Sequence, residues 1–261
     1  MNPIVVLKFG GASVASPFDF DRVAEIVKSK VQEGNKIVVV VSAMLKSTDQ
    51  LIDMAHLVHP NPPKRELDML VSVGERISIA LLAMSLDKIG IEAISLTGSQ
   101  SGVITSIHHT EALIIDVKPS RVRKLLELNK VVIVAGFQGV SKDGDITTLG
   151  RGGSDTSAVA LAIALGSSKV EFFKEVQGIY DKDPLKHQEA KFYPSLNYDS
   201  MIELCKNGAK VLHERAVSLA KKNGIVLEIK SFKNRNLPFT TIKESLSELV
   251  FKNSPCYEES I

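Results

Sequence analysis

Aliphatic runs alternate with amphipathic segments along most of the chain. The aliphatic runs predict strands at 4–7, 36–41, 93–96, 131–135, 169–173, 226–230 and 240–242. Apolar residues at the helical period predict helices at 19–33, 47–57, 65–88, 119–128, 158–165, 199–206 and 212–222. Most of the strands are uniformly apolar, as in sheets that helices cover on both faces, and weak alternation at 103–117 predicts a hairpin. The pattern therefore predicts an α/β fold, a three-layer α/β/α sandwich around a mostly parallel sheet.

The longest helical segment, 65–88, is interrupted by Gly74-Glu75-Arg76. A glycine inside a helix costs about 1 kcal/mol relative to alanine. We therefore expect a close contact or a ligand at Gly74. Glu75 is either an ordinary solvated helix charge or a group that holds an ammonium.

Residues 147–158 join a predicted strand to a predicted helix and contain three glycines around Arg151. Glycines allow a backbone to approach a ligand closely, and a helix start favours anions. Ser154 or Asp155 is expected to cap the helix, and Arg151 can form a fork onto a carboxylate or a phosphate. An ordinary flexible loop is the alternative, but so many glycines beside one arginine favour a binding site.

Lys8 ends the first predicted strand and is followed by Gly10-Gly11. Alone, Lys8 could be a lysine that extends from the sheet edge into solvent. The two glycines favour a lysine directed at phosphate oxygens, and ligands of parallel sheets bind beyond the carboxyl ends of the strands. Arg151 and Glu75 together would suit a zwitterion, because one binds a carboxylate and the other an amine.

Composition narrows the class of protein. The 261 residues are 44% apolar and 24% charged with a net charge of +2, which gives no indication of nucleic acid or membrane as a partner. There is no secretory signal pattern or uninterrupted apolar run of about 18 residues, and Cys205 and Cys256 are isolated. We therefore expect a cytoplasmic protein. His108-His109 lacks companions at metal-ligand spacing and is expected in a surface hairpin.

Standard nucleotide-binding loops and the hydrolase nucleophile elbow are missing from the sequence. Other motifs, however, resemble the aspartate kinases of the amino acid kinase family from the first residues to about 242. They are Lys-Phe-Gly-Gly-Ala-Ser at 8–13, Val-Ser-Ala-Met at 41–44, Gly74-Glu75, Gly-Phe-Gln-Gly at 136–139, Thr-Leu-Gly-Arg-Gly-Gly-Ser-Asp-Thr-Ser at 148–157, Gly-Ile-Tyr at 178–180 with Asp183-Pro184, and Gly-Ala-Lys-Val-Leu-His at 208–213. The segments around Lys8 and Arg151 are specific to aspartate kinases, and the others are shared with kinases for glutamate, acetylglutamate or uridine monophosphate.

The resemblance implies transfer of the γ-phosphoryl group of ATP to the side-chain carboxylate of L-aspartate, which gives 4-phospho-L-aspartate and ADP. This reaction begins the biosynthesis of lysine through diaminopimelate, threonine and methionine. The accompanying Mg²⁺ is held mainly by the phosphates, without direct protein ligands. The resemblance also implies a catalytic domain at 1–242, with an amino-acid-binding lobe at about 1–165 and a nucleotide-binding lobe at about 166–242, and a short tail at 243–261.

The resemblance also assigns roles to individual residues. Lys8 neutralises the transferring group, and Asp155 orients Lys8. The aspartate site comprises Ser42, Thr48, Glu75, Arg151 and Ser154. The nucleotide site comprises Lys8, Gly10, Gly11, Ser13, Lys174, Glu175, Tyr180, Asp183 and Lys210, with Ser13 adding a hydroxyl donor to the phosphates.

Two departures from the family pattern affect these expectations. Lys174-Glu175 stands where the family usually has Thr-Asp, and Leu185 where it often has arginine. The predicted nucleotide site therefore differs from that of the family on this side. Lys174 then either meets phosphate or pairs with Glu175. The roughly 20 residues after 242 are too few for a regulatory ACT module, so we expect no feedback inhibition by lysine or threonine built into this chain.

Three hypotheses follow from the sequence. The leading hypothesis is an aspartate kinase, and the second is a kinase for another carboxylate amino acid such as glutamate, which is one methylene longer. The third is a non-catalytic sensor of an amino acid or nucleotide. A homodimer is the expected assembly, because soluble oligomers are usually symmetric.

Overall fold

Strands and helices alternate in the computed structural model, which describes residues 2–184, 186–234, 236–244 and 255–258. The strands are β1 Ile4–Phe9, β2 Lys36–Val41, β3 Ala93–Leu96, β4 Val103–Thr105, β5 Ile114–Val117, β6 Val131–Ala135, β7 Gln138–Ser141, β8 Ile146–Thr148, β9 Lys169–Lys174, β10 Ile179–Tyr180, β11 Phe192–Tyr193, β12 Ser195–Leu196, β13 Val226–Ser231 and β14 Thr240–Ile242. The α-helices are α1 Asp19–Gln32, α2 Ser47–Val58, α3 Lys64–Val71, α4 Val73–Lys88, α5 Gly98–Ser101, α6 Ser120–Glu127, α7 Gly153–Leu165, α8 Tyr198–Lys206 and α9 Glu214–Asn223. A short 3₁₀ helix, Gly11–Val14, follows β1.

The main sheet has the strand order β12-β14-β13-β9-β1-β2-β6-β3. Its neighbours pair in parallel, except for the antiparallel pair β13 and β14. The central strands β1, β2 and β6 are aliphatic and almost completely buried, because helices cover both of their faces. The predicted α/β class with a mostly parallel sheet is confirmed.

Two hydrophobic cores lie on opposite faces of this sheet. One face packs against α1 and α4 through residues such as Phe20 and Leu82. The other packs against α6, α7, α8 and α9 through residues such as Leu161 and Val217. The alternation of side chains along each strand divides them between these cores, and the result is the predicted arrangement of three layers.

A smaller sheet, with the order β5-β4-β7-β8, carries the predicted hairpin at 103–117. Strands β7 and β8 were not predicted, because each is short and the polar residues Gln138 and Thr147 are buried in them. This sheet positions β8 directly before the glycine-rich loop that begins at Leu149.

Two predicted helix boundaries are wrong. The segment 65–88 breaks at Ser72, two residues before Gly74, because the Ser72 hydroxyl donates to the Met69 carbonyl and its own carbonyl accepts from the Gln138 side chain at 2.8 Å. Gly74 lies in the first turn of α4, and a Cβ there would be 2.8 Å from the Ala43 Cβ, so the expected close contact is present.

The helix predicted at 158–165 begins five residues earlier, at Gly153, and its N-cap is Gly152 without a side-chain cap. Ser154 and Asp155 therefore lie in the first turn instead of capping it. The buried first turn explains the error, because its small and polar residues do not resemble an apolar helix face.

Among the described residues, the helical stretch Lys64–Lys88 is long and apolar enough to cross a membrane by length and composition. Half of its most apolar window is buried within the fold, and a core helix of this kind passes the same test. Much of the predicted tail, at 245–254 and 259–261, lies outside the described residues. Its described part, 255–258, packs against the body of the protein, where Tyr257 contacts the core that includes α7 and α9.

Candidate active site

The carboxyl ends of β1, β2 and β9 meet at one edge of the main sheet. Lys8 in β1 is in register with Val40 and Phe172, and the backbone N–H of Ser42 donates to the Phe9 carbonyl at 3.1 Å. Lys174 ends β9. Lys8, Ser42 and Lys174 therefore lie at the edge where the sequence predicts a ligand site.

Asp155, in the first turn of α7, forms ion pairs with two lysines. Its Oδ1 is 2.5 Å from the Nζ of Lys8, and its Oδ2 is 3.3 Å from the Nζ of Lys174. The side chains of Lys8 and Asp155 are only 6% and 7% exposed, so water screens this pair weakly. The cluster carries one net positive charge when both lysines are protonated, and the helix start adds favourable charge beside the carboxylate.

Burial and charge compete in setting the pKa values of this cluster. Burial alone would raise the pKa of Asp155, but Lys174 and Lys8 together hold it below its ordinary value. Burial lowers the pKa of Lys174 to about 8, against the opposing effect of Asp155 and with a further lowering by Lys8. Asp155 therefore stays ionised at neutral pH, whereas Lys174 gives up its proton more readily than an ordinary lysine.

Of the two alternatives for Lys174, pairing with Glu175 is wrong. Lys174 extends inward to Asp155, whereas Glu175 is exposed and its Oε1 is 3.4 Å from the Nζ of Lys233. Lys174 is the last residue of β9, and Glu175 lies in the loop that follows it. Lys174 therefore belongs to the charged cluster.

A cavity of about 520 Å³ opens beside this cluster. The predicted residues that line it are Lys8, Gly11, Ser42, Thr48, Glu75, Arg151, Ser154 and Asp155. All five residues of the predicted aspartate site are thus brought around one cavity. Its volume lies within the usual range of small-molecule sites.

Glu75 is almost completely buried on the wall of the cavity. Its Oε1 accepts from the backbone N–H of Ala43 at 3.0 Å, and its Oε2 has no hydrogen-bond partner in the described part of the chain. Burial raises the pKa of Glu75 to about 7, although Ala43 and Lys8 oppose the shift. A bound ammonium would supply the missing partner and favour the ionised carboxylate.

The loop 149–152 carries Arg151 on the rim of the cavity, where its side chain is exposed. Gly152 has a φ of +70°, and a Cβ there would be 2.2 Å from the ring of His213. The conformation and the space both require glycine at this position. The glycine after Arg151 is therefore needed for the packing of the loop against His213.

Asp68 in α3 was not predicted, although it anchors one wall of the cavity. It is fully buried and accepts from the Thr148 hydroxyl at 2.5 Å and from the Thr110 N–H at 3.0 Å, while the His109 Nδ1 lies 2.8 Å from its Oδ2. Thr110 and Thr148 line the cavity. His108 and His109 lie in the connection of the β4–β5 hairpin, as expected, with His108 exposed. His109, in addition, is held against this buried carboxylate.

Three cavity residues that are not glycine have a positive φ: Lys46 at 64°, Thr110 at 71° and Phe137 at 67°. Such residues are uncommon, and the strain typically costs about 1–3 kcal/mol each. Residues in such conformations often cluster at ligand sites. Sequence reasoning missed them, because none of these residues is a type that favours this region.

The other residues of the predicted nucleotide site do not line this cavity. Gly10 lies against the Lys8 side chain, since a Cβ there would be 3.6 Å from its Nζ. Ser13 is buried with its hydroxyl donating to the Phe173 carbonyl at 3.2 Å, so the predicted hydroxyl donor to phosphate is already engaged. The Tyr180 ring meets the Phe192 ring edge-on at 5.5 Å, and Asp183 and Lys210 are exposed.

The chain belongs to the amino acid kinase family, whose family model matches residues 3–231. It is similar to the aspartokinase of Geobacillus stearothermophilus, with 49% identity over 94% of this chain and 60% of that protein. The chain thus spans about three fifths of the length of this relative.

Two solved structures support the same family. The aspartate kinase of Synechocystis has a TM-score of 0.81 and 46% identity, covering 92% of this chain and 40% of that one. Aspartokinase III of E. coli, solved in complex with aspartate and ADP, has a TM-score of 0.82 and 27% identity, covering 93% of this chain and 65% of that one. The fold described above is therefore the amino acid kinase fold.

The raised pKa of Glu75 predicts that the unfolding free energy of the protein depends on pH. Between pH 4.5 and about 7 the folded protein keeps a proton on Glu75 that the unfolded chain has released, so the unfolding free energy falls as pH rises through this window. The full effect is roughly 3 kcal/mol. Glu75→Gln removes it, and urea unfolding of both proteins should show the variant gaining stability over the wild type between pH 5 and pH 8.

Glu127→Gln is the matched control, because Glu127 is exposed on α6. Its stability relative to the wild type should stay constant over the same pH range. A Glu75→Gln difference that is equally constant would show that the buried carboxyl does not carry the shifted pKa.

Proposed function

We propose that this chain transfers the γ-phosphoryl group of ATP to the side-chain carboxylate of L-aspartate, giving 4-phospho-L-aspartate and ADP. The observation that carries the proposal is the cluster of Lys8, Asp155 and Lys174 beside one cavity that also contains Arg151 and Glu75. The similarity to aspartokinases over most of the chain supports it.

The charged cluster suits the difficulty of this reaction. A carboxylate with an ordinary pKa near 4 is already ionised at neutral pH, so no general base is required to activate it. The obstacle is the approach of one anion to the phosphate chain of another. Lys8, buried and oriented by Asp155, offers a fixed positive charge where charge develops on the transferring group.

The opposed charges of the cavity suit an amino acid. Arg151 would bind the α-carboxylate through its planar fork, and Glu75 would accept from the α-ammonium. This assignment gives the unpartnered Oε2 of Glu75 a hydrogen-bond donor. Ser42, Thr48 and Ser154 would complete the aspartate site with hydroxyl groups around the same cavity.

The nucleotide would lie beyond Lys8, toward β9 and the loops of the second lobe. Gly10 and Gly11 would bring backbone N–H groups close to the phosphates, and Lys174 would add its charge. Ser13 would support this turn through its bond to Phe173, in place of the hydroxyl donation expected from the sequence. Glu175, Tyr180, Asp183 and Lys210 would surround the adenosine.

The proposal divides the catalytic domain, 1–242, into an amino-acid-binding lobe to about 165 and a nucleotide-binding lobe after it. E. coli aspartokinase III, whose solved structure contains aspartate and ADP, supports the presence of both sites in this fold. The two sites would adjoin at Lys8 and Asp155, which would be the point of transfer.

A magnesium ion would accompany ATP. In the described part of the chain, no three His, Cys, Asp or Glu side chains gather into a metal site. Mg²⁺ characteristically binds through phosphate oxygens with one or two carboxylates. Both oxygens of Asp155 are already engaged with the ammonium groups of Lys8 and Lys174, so the phosphates of ATP would be the main ligands of the ion. When bound, the ion would neutralise phosphate charge.

The product would serve the biosynthesis of lysine through diaminopimelate, threonine and methionine. A cytoplasmic location and a homodimer belong to the same proposal. The proposed binding partners of the chain are aspartate and MgATP. The near-neutral net charge of +2 gives no support for nucleic acid or a membrane as a further partner.

The direct test of the proposal is release of ADP from MgATP in the presence of L-aspartate. The wild type should turn over with aspartate, and Lys8→Ala should abolish turnover while its circular dichroism and unfolding temperature remain those of a folded protein. L-glutamate is the matched alternative substrate. Faster turnover with glutamate would favour a kinase for another carboxylate amino acid. Aspartate binding without turnover would favour a non-catalytic sensor.

A second prediction separates Arg151 from Asp155. Arg151→Ala should raise the KM for aspartate roughly 10- to 100-fold, since a hydrogen bond to a charged group contributes about 1.5–3 kcal/mol, with little change in kcat. Asp155→Ala should lower kcat by roughly 100-fold or more, because Lys8 loses the group that orients it. Steady-state kinetics with each substrate varied in turn measure both effects.

Arg151→Lys is the control, because it keeps the charge but removes the planar fork. Its KM for aspartate should lie between those of the wild type and Arg151→Ala. The reverse pattern, with kcat lost at Arg151 and KM at Asp155, would contradict the assigned roles and leave the kinase proposal standing.

A further inference from the structure

Arg215, in the first turn of α9, connects three separate parts of the chain. Its guanidinium donates to the carbonyl oxygens of Leu149 and Ala112, the latter at 2.9 Å. It also forms a two-pronged ion pair with Glu258, with distances of 2.8 and 3.0 Å. The side chains of Arg215 and Glu258 are 25% and 11% exposed, so this pair is largely shielded from water.

Glu258 is itself held in place by its neighbours. Its backbone N–H donates to the Ile114 carbonyl at 3.0 Å, and its Oε2 accepts from the Ile114 N–H at 2.9 Å. Asn223 exchanges two hydrogen bonds with the backbone of Cys256, at 2.7 and 2.9 Å. We call residues 255–258 the docked segment, because its backbone bonds attach it to both β5 and the end of α9.

The contacts of Arg215 include the loop that carries Arg151. Leu149, whose carbonyl it binds, precedes Arg151 by two residues, and the Leu149 N–H donates to the Phe137 carbonyl at 2.9 Å. On the other side of Arg151, Gly152 lies against the ring of His213, two residues before Arg215. The short segment 213–215 therefore contacts the loop on both sides of Arg151.

We infer that Arg215, oriented by Glu258 of the docked segment, is a positioning residue that holds Leu149 and Gly152 so that Arg151 faces the substrate carboxylate. The inference rests on the proposed function, since it assigns a role within the same aspartate site. The docked segment lies outside the proposed domain at 1–242. Through Glu258 and Arg215, its attachment would influence the affinity for aspartate.

The arrangement of donors explains why an arginine is needed here. Three guanidinium nitrogens of Arg215 are used at once, on two carbonyls and one carboxylate, which a lysine ammonium cannot match in geometry. Three of the four residues at 150–153 are glycines, so the loop around Arg151 has high conformational freedom when it is not held. Loss of these contacts would spread Arg151 over several orientations and reduce the fraction ready to bind.

The test uses the full chain with Glu258→Gln and Arg215→Lys. Glu258→Gln keeps the size of the side chain and an acceptor for the Ile114 N–H but removes the charge opposite Arg215. Each variant should raise the KM for aspartate about 5- to 50-fold while the KM for ATP changes less than twofold. Titration calorimetry with aspartate alone should show a parallel loss of affinity, independent of turnover.

Two further variants separate positioning from general stability. Asp199→Asn removes the exposed ion pair between Asp199 of α8 and Lys221 of α9. This variant should leave both KM values unchanged. Asn223→Ala releases Cys256 without touching Arg215, and should raise the KM for aspartate by a smaller factor than Glu258→Gln.

Unchanged aspartate affinity in both Glu258→Gln and Arg215→Lys would overturn the inference, and so would equal changes in both KM values together with a lower unfolding temperature. Either result would leave the proposed function intact, provided that the wild type turns over. A wild type that binds aspartate without turnover would refute the proposed kinase activity, while calorimetry would still decide the positioning role. A wild type that neither binds nor turns over aspartate would overturn both.

Discussion

One carboxylate shared by two lysines is the interaction on which this site depends. Asp155 has both of its oxygens directed at ammonium groups, Lys8 from β1 and Lys174 from β9. None of the three could be buried alone without a large cost, because an isolated charge in a protein interior is strongly unfavourable. Together they place a compensated but net positive cluster at the edge of a parallel sheet, where an anionic ligand would replace water as the partner of the remaining charge.

The fold supplies the conditions for this cluster. The register of β1 and β9 brings the two lysines to the same edge, and the early start of α7 at Gly153 places Asp155 in a first turn that favours a negative charge. The cavity alongside is lined by the exposed Arg151 and by the buried Glu75. In the proposed reaction, the aspartate cavity selects and orients the substrate, and the lysine cluster meets the phosphoryl group.

The layered fold and most of the residues around the cavity could be predicted from the sequence. Uniformly apolar strands indicate a sheet covered on both faces, and glycines beside Lys8 and Arg151 mark places where backbone and ligand approach. The partners could not be predicted, because they come from distant elements. The pairing of Lys174 with Asp155 needs the register of β9, and the burial of Asp68 against Thr148 needs the packing of α3 on β8. The contacts of residues 255–258 could not be predicted either, because their partners Arg215 and Asn223 are distant in the sequence.

Direct titration of Lys174 tests the central interaction. Reductive methylation with a carbon-13 label, assigned by comparison with Lys174→Arg, reports the pKa of this ammonium by NMR. The account predicts a pKa of about 8 in the wild type, and a lower value in Asp155→Asn, because the neighbouring negative charge that supports the protonated form is gone. A Lys174 pKa near the ordinary value of 10.5, or one that Asp155→Asn leaves unchanged, would contradict it.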